Sequence, residues 1–110
     1  MVIKSFFLGT DTAPHLASDK ENCCGCAGIF NATYCISTLA QIFDNENRLS
    51  NLEKFISING AKHYDLGINK EKIKLFKSKD IRIFKKFLVI DKEKIIIFNP
   101  GFSVFWDVKT

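Results

Sequence analysis

The side chains best suited to chemistry lie near the start of the chain, in the stretch FFLGTDTAPH. Asp11 follows a short apolar run that ends at Gly9, and His15 lies four residues further on. In α/β barrels the carboxyl end of a strand holds the active site, where a carboxylate can bind a metal, act as a base, or do both. The same "GTD" is also typical of a turn, so a structural Asp11 fits equally well.

His15 follows Ala-Pro, which shapes the backbone around it. Pro14 fixes its own φ and biases the preceding residue toward an extended shape, so a helix across this bond is disfavoured. Asp11 and His15 are therefore not a helical i,i+4 metal pair. A rigid Pro-His loop would present the imidazole to an anionic ligand, and the alternative is a surface histidine.

Four cysteines, Cys23, Cys24, Cys26 and Cys35, form a second candidate site. Cys23 and Cys26 have the C-x-x-C spacing that holds zinc or performs redox chemistry. A second C-x-x-C or an H-x-x-x-H, which would complete four zinc ligands, is absent from the sequence. The alternative is a tight loop, in which the glycines of CCGCAG expose N–H groups to an anion ahead of a helix.

The elements that position these residues begin with an apolar run. The run VIKSFFL, within residues 2–9, predicts a strand buried on both faces, as in a parallel sheet or barrel. Residues 10–28 show no period and predict a long loop, a length that is usually functional. A strand of this kind without partner strands is odd in a whole domain, and its unpaired edges would favour aggregation.

Helices and then strands follow the loop. The stripe Ala32, Ile36, Leu39, Phe43 predicts a helix that begins near Ile29. Ser50 and Glu53 fit a capping box that opens a second helix, with Asn59-Gly60 as its stop and His63 in a further, structural or surface turn. Three or four short strands are predicted within residues 72–109, from KIKLFK, IRIF, FLVID, KIIIFN and FSVFWDVK.

Composition and charge exclude several classes of protein. With 110 residues, 46% hydrophobic and eleven of them Phe, the chain is one small domain and not a disordered polymer. No apolar run approaches the ~20 residues needed to span a bilayer, and no signal peptide is found. This predicts no membrane partner and, with free cysteines, a reducing, cytoplasmic location. Most of the lysines lie in residues 51–110, where they alternate with apolar residues like the solvent face of a strand, so nucleic-acid binding is not expected.

Several blocks together resemble the C-terminal portion of a dihydroorotase, most closely the homodimeric bacterial type in the amidohydrolase superfamily. The blocks are FLGTDTAPH, KENCCGCAGIFNA, SINGAKHYDL and FSVFWDVK. The resemblance implies an α/β fold, the C-terminal piece of a metal-dependent (β/α)8 barrel. Residues 1–67 would form the last βα unit with catalytic loop 10–28, and residues 68–110 a C-terminal β-rich extension.

The resemblance also implies roles for single residues. The complete family enzyme interconverts L-dihydroorotate and N-carbamoyl-L-aspartate in pyrimidine biosynthesis, using two Zn²⁺ ions bridged by a carboxylated lysine. Asp11 matches the catalytic aspartate, which also contacts a zinc ion. His15 matches a histidine that binds the substrate carboxylate, and Ala27 matches a loop position whose backbone contacts the substrate. The implied partners are a small-molecule substrate and, in the complete enzyme, a second copy of the chain.

Most of that site is missing from the sequence. The family's H-x-H pair is absent, His15 and His63 are the only histidines, and a barrel of this kind takes ~250 residues. We therefore expect an upstream barrel segment to complete the site and the isolated chain to be inactive. Two other functions stay open: a stand-alone binding module that uses the basic β half or a cysteine-bound metal, and the tail of a related cyclic-amide hydrolase such as a hydantoinase.

Overall fold

The computed structural model describes residues 6–20 and 30–109, which form short helices followed by two small antiparallel sheets. Helix α1 is a single turn. Helix α2 is entered through a 3-10 turn, and α3 ends a longer helical stretch that includes a 3-10 turn and a π-helical segment. In chain order the elements are α1 Ala17–Lys20, the 3-10 turn Ala32–Tyr34, α2 Cys35–Asn45, the 3-10 turn Leu49–Asn51, the π-helical segment Lys54–Ile58, α3 Asn59–His63, β1 Lys74–Lys77, β2 Phe87–Ile90, β3 Glu93–Ile96 and β4 Trp106–Lys109.

Helix α2 confirms the first predicted helix but not its predicted start near Ile29, since α2 begins at Cys35 after the 3-10 turn. Its most buried line is shifted by one residue from the predicted apolar stripe. Ser37, Ala40 and Gln41 are the buried residues, at the i, i+3, i+4 spacing of one helix face. Gln41 is buried because both ends of its amide are satisfied. Its Oε1 accepts from Phe105 N at 2.8 Å, and its Nε2 donates to Asn45 Oδ1 at 2.8 Å.

The second predicted helix exists, but its predicted capping box is wrong, and the stretch does not stop at Asn59-Gly60. The stretch begins at Leu49, with Arg48 at the N-cap and no side-chain capping bond from it, so Ser50 lies inside the first turn. The capping box predicts that the Glu53 side chain binds the backbone at the helix start. In the structure it accepts a hydrogen bond from Lys72 Nζ at 2.7 Å instead. The stretch runs through Asn59-Gly60 to His63 in α3, which confirms the further turn predicted there.

Strands β1 and β4 pair antiparallel and pack on α2. Their register places Lys77 opposite Trp106. Asp44 of α2 joins both of these residues: its Oδ2 accepts from Trp106 Nε1 at 3.0 Å and from Lys77 Nζ at 2.8 Å. These two hydrogen bonds tie α2 to both strands. We refer to α2, β1 and β4 together as the scaffold.

Strands β2 and β3 form a hairpin with a two-residue turn. Ile90 pairs with Glu93, and the intervening Asp91 and Lys92 have φ angles of 47° and 71°. Positive φ at both central residues is the type I′ geometry, which matches the twist of a two-stranded ribbon. The four strands confirm the predicted number, although the predicted strand IRIF is wrong: residues 81–84 form no strand, and Ile83 is 89% exposed.

The first predicted strand is also wrong where it can be tested. Residues 2–5 lie outside the described ranges, and residues 6–9 form no strand. They run instead beside the π-helical segment. Leu8 N donates to Phe55 O at 3.0 Å, and Asn59 Nδ2 donates to Phe6 O at 2.9 Å. The predicted loop that follows is interrupted by α1.

The core is small for the amount of apolar surface. Within the described ranges, the large apolar side chains that are exposed outnumber those that are buried. None of the described helices is long and apolar enough to cross a membrane. The buried apolar residues are Tyr34, Ala40, Leu52, Ile97 and Val104. The exposed ones include Ile83, Leu66, Tyr64, Phe6 and Val89, each more than 60% exposed.

Candidate active site

The segment that carries Asp11 and His15 spans residues 6–16, and we call it the Asp11 segment. Its start is held by a widened helical turn. Asn59 N–H, which in a regular α-helix would donate to Phe55 O, donates instead to Lys54 O. Phe55 O accepts from Leu8 N, so the π-helical geometry provides an anchor for the incoming chain.

The ring of Phe7 packs on the last turn of the same helical stretch. Its centroid lies 5.1 Å from that of His63 and 5.7 Å from that of Tyr64, the latter edge-on. A Cβ at Gly60 would lie 3.3 Å from Phe7 Cδ2, so glycine allows this close approach. His63 is therefore a surface residue with a packing role, as the sequence predicts.

Asp11 lies at a left-handed turn in the middle of the segment. Its φ is 46°, a conformation in which Asp is enriched among non-glycine residues, and its side chain is exposed. Asn31 contacts the residues on either side of it. Asn31 Nδ2 donates to Thr10 O at 3.1 Å, and Asn31 N donates to Thr12 Oγ1 at 3.2 Å. The structure therefore fixes the backbone around Asp11 and leaves its carboxylate accessible.

His15 ends the segment beside the edge of β3. Its carbonyl accepts from Ile96 N at 3.4 Å, the next residue, Leu16, forms an isolated antiparallel bridge with Ile95, and the His15 side chain is half-buried. Beyond β3, Phe98 N donates to Phe30 O at 2.9 Å. Strand β3 thus contacts the predicted catalytic loop at residues 15–16, and the chain just beyond β3 contacts residue 30, which follows the loop.

Ala27 and three of the cysteines, Cys23, Cys24 and Cys26, lie in residues 21–29, outside the described ranges. Their predicted roles stay predictions. Cys35, the first residue of α2, has a free thiol that is half-buried. Burial raises the pKa of this thiol above its ordinary value, which disfavours the thiolate that metal binding or redox chemistry needs.

The described residues do not fit a zinc pair on their own. Residues 6–20 and 30–109 contain no group of three or more His, Cys, Asp or Glu side chains placed to hold a metal. A catalytic zinc ion takes three protein ligands. Asp11 and His15 supply only one carboxylate and one imidazole to such a site.

Sequence reasoning did not single out Thr10, Thr12 and Asn31. Asn31 lies in the block KENCCGCAGIFNA, but its residue type and position carry no chemical pattern. The two contacts link residues 19 and 21 positions apart, and a separation of that size gives no periodic signal. The flanking Thr-Asp-Thr was visible, but a hydroxyl beside an aspartate is common in turns.

The known proteins to which the chain is similar in sequence include several dihydroorotases. The chain is 43% identical over 103 residues to a dihydroorotase of Agrobacterium fabrum, and 41% identical over 105 residues to one of Cereibacter sphaeroides. These matches cover 94% and 96% of this chain, but only 30% of each relative. No family model matches the chain.

Solved structures agree with the sequence matches. A crystal structure of dihydroorotase from Saccharomyces cerevisiae, in complex with 5-fluoroorotic acid, has a TM-score of 0.82 and 32% identity, and the match covers 96% of this chain and 30% of that one. The dihydroorotase from Campylobacter jejuni has a TM-score of 0.76 and 26% identity, covering 97% of this chain and 30% of that one. The described chain of short helices and small sheets is thus a piece of a larger known fold, and it corresponds to the C-terminal portion of a dihydroorotase.

Proposed function

We propose that this chain contributes one side of a dihydroorotase active site, with Asp11 as its catalytic carboxylate, and catalyses nothing alone. The observation that carries the proposal is the exposed carboxylate on a fixed left-handed turn. It lies in a chain about 40% identical to dihydroorotases but only 30% of their length. The reaction is the reversible hydrolysis of L-dihydroorotate to N-carbamoyl-L-aspartate, in the cytoplasm.

Asp11 is suited to the proton transfers of this reaction. Water attacks the ring carbonyl carbon and forms a new C–O bond, and Asp11 accepts the proton that the water loses. The ring C–N bond then breaks, and Asp11 delivers that proton to the departing nitrogen. One carboxylate at a fixed position performs both transfers, and positioned general acid–base groups of this kind contribute about 10²–10⁴ in rate.

Substrate binding is assigned to two further residues of the chain. The His15 imidazole and the backbone N–H groups near Ala27 would donate hydrogen bonds to the carboxylate of the substrate. The family's zinc pair requires ligands beyond Asp11, so no step is assigned to metal in this chain. A further polypeptide segment must supply those ligands and cover the exposed apolar residues, and a second copy of the enzyme is the expected partner.

The proposed division of the chain follows the same view. In the complete enzyme, residues 1–67 would correspond to the last βα unit with the catalytic loop, and residues 68–110 to a β-rich extension. The contacts of His15 and Phe30 with β3 and its continuation support a role for the extension in holding the loop. The stand-alone binding module is not favoured, because the matches are to dihydroorotases and two of the lysines pair with Glu53 and Asp44. The relatives named above are dihydroorotases, which speaks against a hydantoinase.

A chimera tests the proposal. The matched C-terminal 30% of the Agrobacterium fabrum dihydroorotase is replaced by this chain, and hydrolysis of L-dihydroorotate is measured. We expect an active chimera that loses at least about a hundredfold in kcat with Asp11→Asn. Asp65→Asn is the matched control, because Asp65 is also exposed and also has a positive φ, 54°.

Two outcomes would contradict the proposal. One is an active chimera in which Asp11→Asn and Asp65→Asn are equally harmless. The other is turnover by the isolated chain above a zinc-only blank that Asp11→Asn abolishes, because it would show that no further segment is needed. If the full exchange does not fold, a graft of residues 6–16 alone into the relative carries the same pair of substitutions.

A further inference from the structure

Asp11 differs from two other left-handed residues, Asn47 and Asp65, in how its backbone is held. Asn47, with φ of 56°, donates its N–H to Asp44 O at 2.9 Å, and Asp65 donates its N–H to Lys62 O at 3.3 Å. These are local bonds, three residues back along the chain. The contacts that bracket Asp11 come from Asn31, which lies after the loop.

Asn31 uses two different groups on the two neighbours of Asp11. The side-chain amide binds the carbonyl before it, and the backbone N–H binds the hydroxyl after it. Together they hold the peptide carbonyl before Asp11 and the side-chain hydroxyl after it, around a residue whose φ is unfavourable for any residue but glycine. The carboxylate itself takes no part in either contact, so it stays available to substrate.

We infer that Asn31, acting through Thr10 and Thr12, is a positioning residue for the catalytic carboxylate of Asp11. Its two hydrogen bonds stabilise the left-handed backbone that orients the carboxylate. They also connect the start of the predicted loop, at Thr10 and Thr12, to the chain that follows the loop. The effect of Asn31 on catalysis rests on the proposed function, whereas its effect on the conformation of Asp11 does not. Loss of either contact would let the turn relax into other backbone conformations without unfolding the scaffold.

The donor on Asn31 is the decisive atom of the side-chain contact. Asn31 Oδ1 is buried without a hydrogen-bond partner, so the amide is oriented through its Nδ2. Asn31→Asp keeps the size and shape of the side chain but places an oxygen against Thr10 O. If Asn31 only filled space, the aspartate variant would behave like the parent.

Limited proteolysis of the full 110-residue chain measures how firmly the backbone at Asp11 is held, through the rate of cleavage before that residue. Endoproteinase Asp-N cleaves before aspartate, and Asp11, Asp65 and Asp91 are all exposed and in left-handed conformations. We expect Asn31→Ala and Asn31→Asp to speed cleavage before Asp11 by about fivefold, the factor for one net hydrogen bond, and to leave the other two sites unchanged. Unchanged cleavage before Asp11 in both variants would overturn the inference.

Thr12 provides an independent matched pair. Thr12→Val removes the acceptor of the second contact at constant shape, and Thr12→Ser keeps the hydroxyl. We expect faster cleavage before Asp11 in the valine variant and parent-like cleavage in the serine variant. Equal behaviour of the two would show that the hydroxyl contact does not hold the turn.

The active chimera tests the catalytic consequence. Asn31→Ala should lower kcat more than it raises KM, and should add nothing in an Asp11→Asn background, because there is no carboxylate left to position. A further drop in that background would show a general structural role and overturn the inference. If cleavage before Asp11 speeds up while Asp11→Asn leaves turnover intact, the proposed function fails and the positioning contact stands.

Discussion

The scaffold and the Asp11 segment are held by different kinds of contact. In the scaffold, side chains reach across elements: Asp44 binds Trp106 and Lys77, and Gln41 binds the backbone of Phe105. In the Asp11 segment, four of its own backbone groups and one hydroxyl form the contacts, at Phe6, Leu8, Thr10, Thr12 and His15.

This difference leaves the side chains of Asp11 and His15 free for another purpose. A segment that is held through its backbone keeps its conformation while Asp11 and His15 stay uncommitted. Its order, however, depends on partners that the rest of the chain must place correctly. The scaffold is thus the source of stability, and the segment is the source of chemistry.

The largest expected effect is in the small core. Leu52 is 5% exposed, and Leu52→Ala should lower the free energy of unfolding by about 2–5 kcal/mol through lost burial and a residual cavity. Leu49, in the same helical stretch, is 36% exposed, and Leu49→Ala should cost about 1 kcal/mol or less. Urea denaturation of the two variants measures both, and equal losses would show that burial at Leu52 does not set the stability.

The next largest effect is expected for the Gln41 side chain, which joins α2 to the backbone of Phe105. Gln41→Ala leaves the Phe105 N–H without its acceptor, and an unsatisfied buried donor costs about 1–3 kcal/mol. Asn45→Ala removes only the exposed partner of the same amide and is the matched control. If the two variants lose the same stability in urea, the side-chain bridge does not tie α2 to the strand region, and the proposed difference between the regions fails.

Local patterns account for what the sequence predicted correctly. Helix α2 and strands β1 to β4 follow from periodicities that neighbouring residues carry themselves. The run of residues 6–9 has the composition of a buried strand, yet the widened turn at Phe55 offers an acceptor that the sequence does not reveal. IRIF alternates like a strand, but Arg82 binds Asp107 and lies over the Tyr34 ring, and no strand forms.

The candidate site was predictable only in part, for the same reason. Asp11 and His15 are visible as residue types at a break in an apolar run. The left-handed φ of Asp11 and its attachment to Asn31 depend on contacts across the loop, which neither composition nor spacing encodes. Local preference thus finds the reactive side chains, and long-range contacts decide how they are held.

The smallest expected effect concerns acid stability and tests the scaffold side of the comparison. Hydrogen bonds from Lys77 and then Trp106 hold the pKa of Asp44 below its ordinary value. A carboxyl whose folded pKa is depressed contributes stability above its unfolded pKa, about 3.9, and loses it as pH falls through the folded value. The parent chain should therefore lose this contribution below roughly pH 4.

Asp44→Asn should remove that contribution at neutral pH and leave little difference from the parent in acid. Urea denaturation across this pH range measures the gap, and Asp65→Asn, which removes a carboxylate from an exposed turn, controls for net charge. A gap that stays constant with pH would mean that Asp44 acts through packing or neutral hydrogen bonds. A gap that closes in acid shows that the scaffold commits the carboxylate of Asp44 to structure.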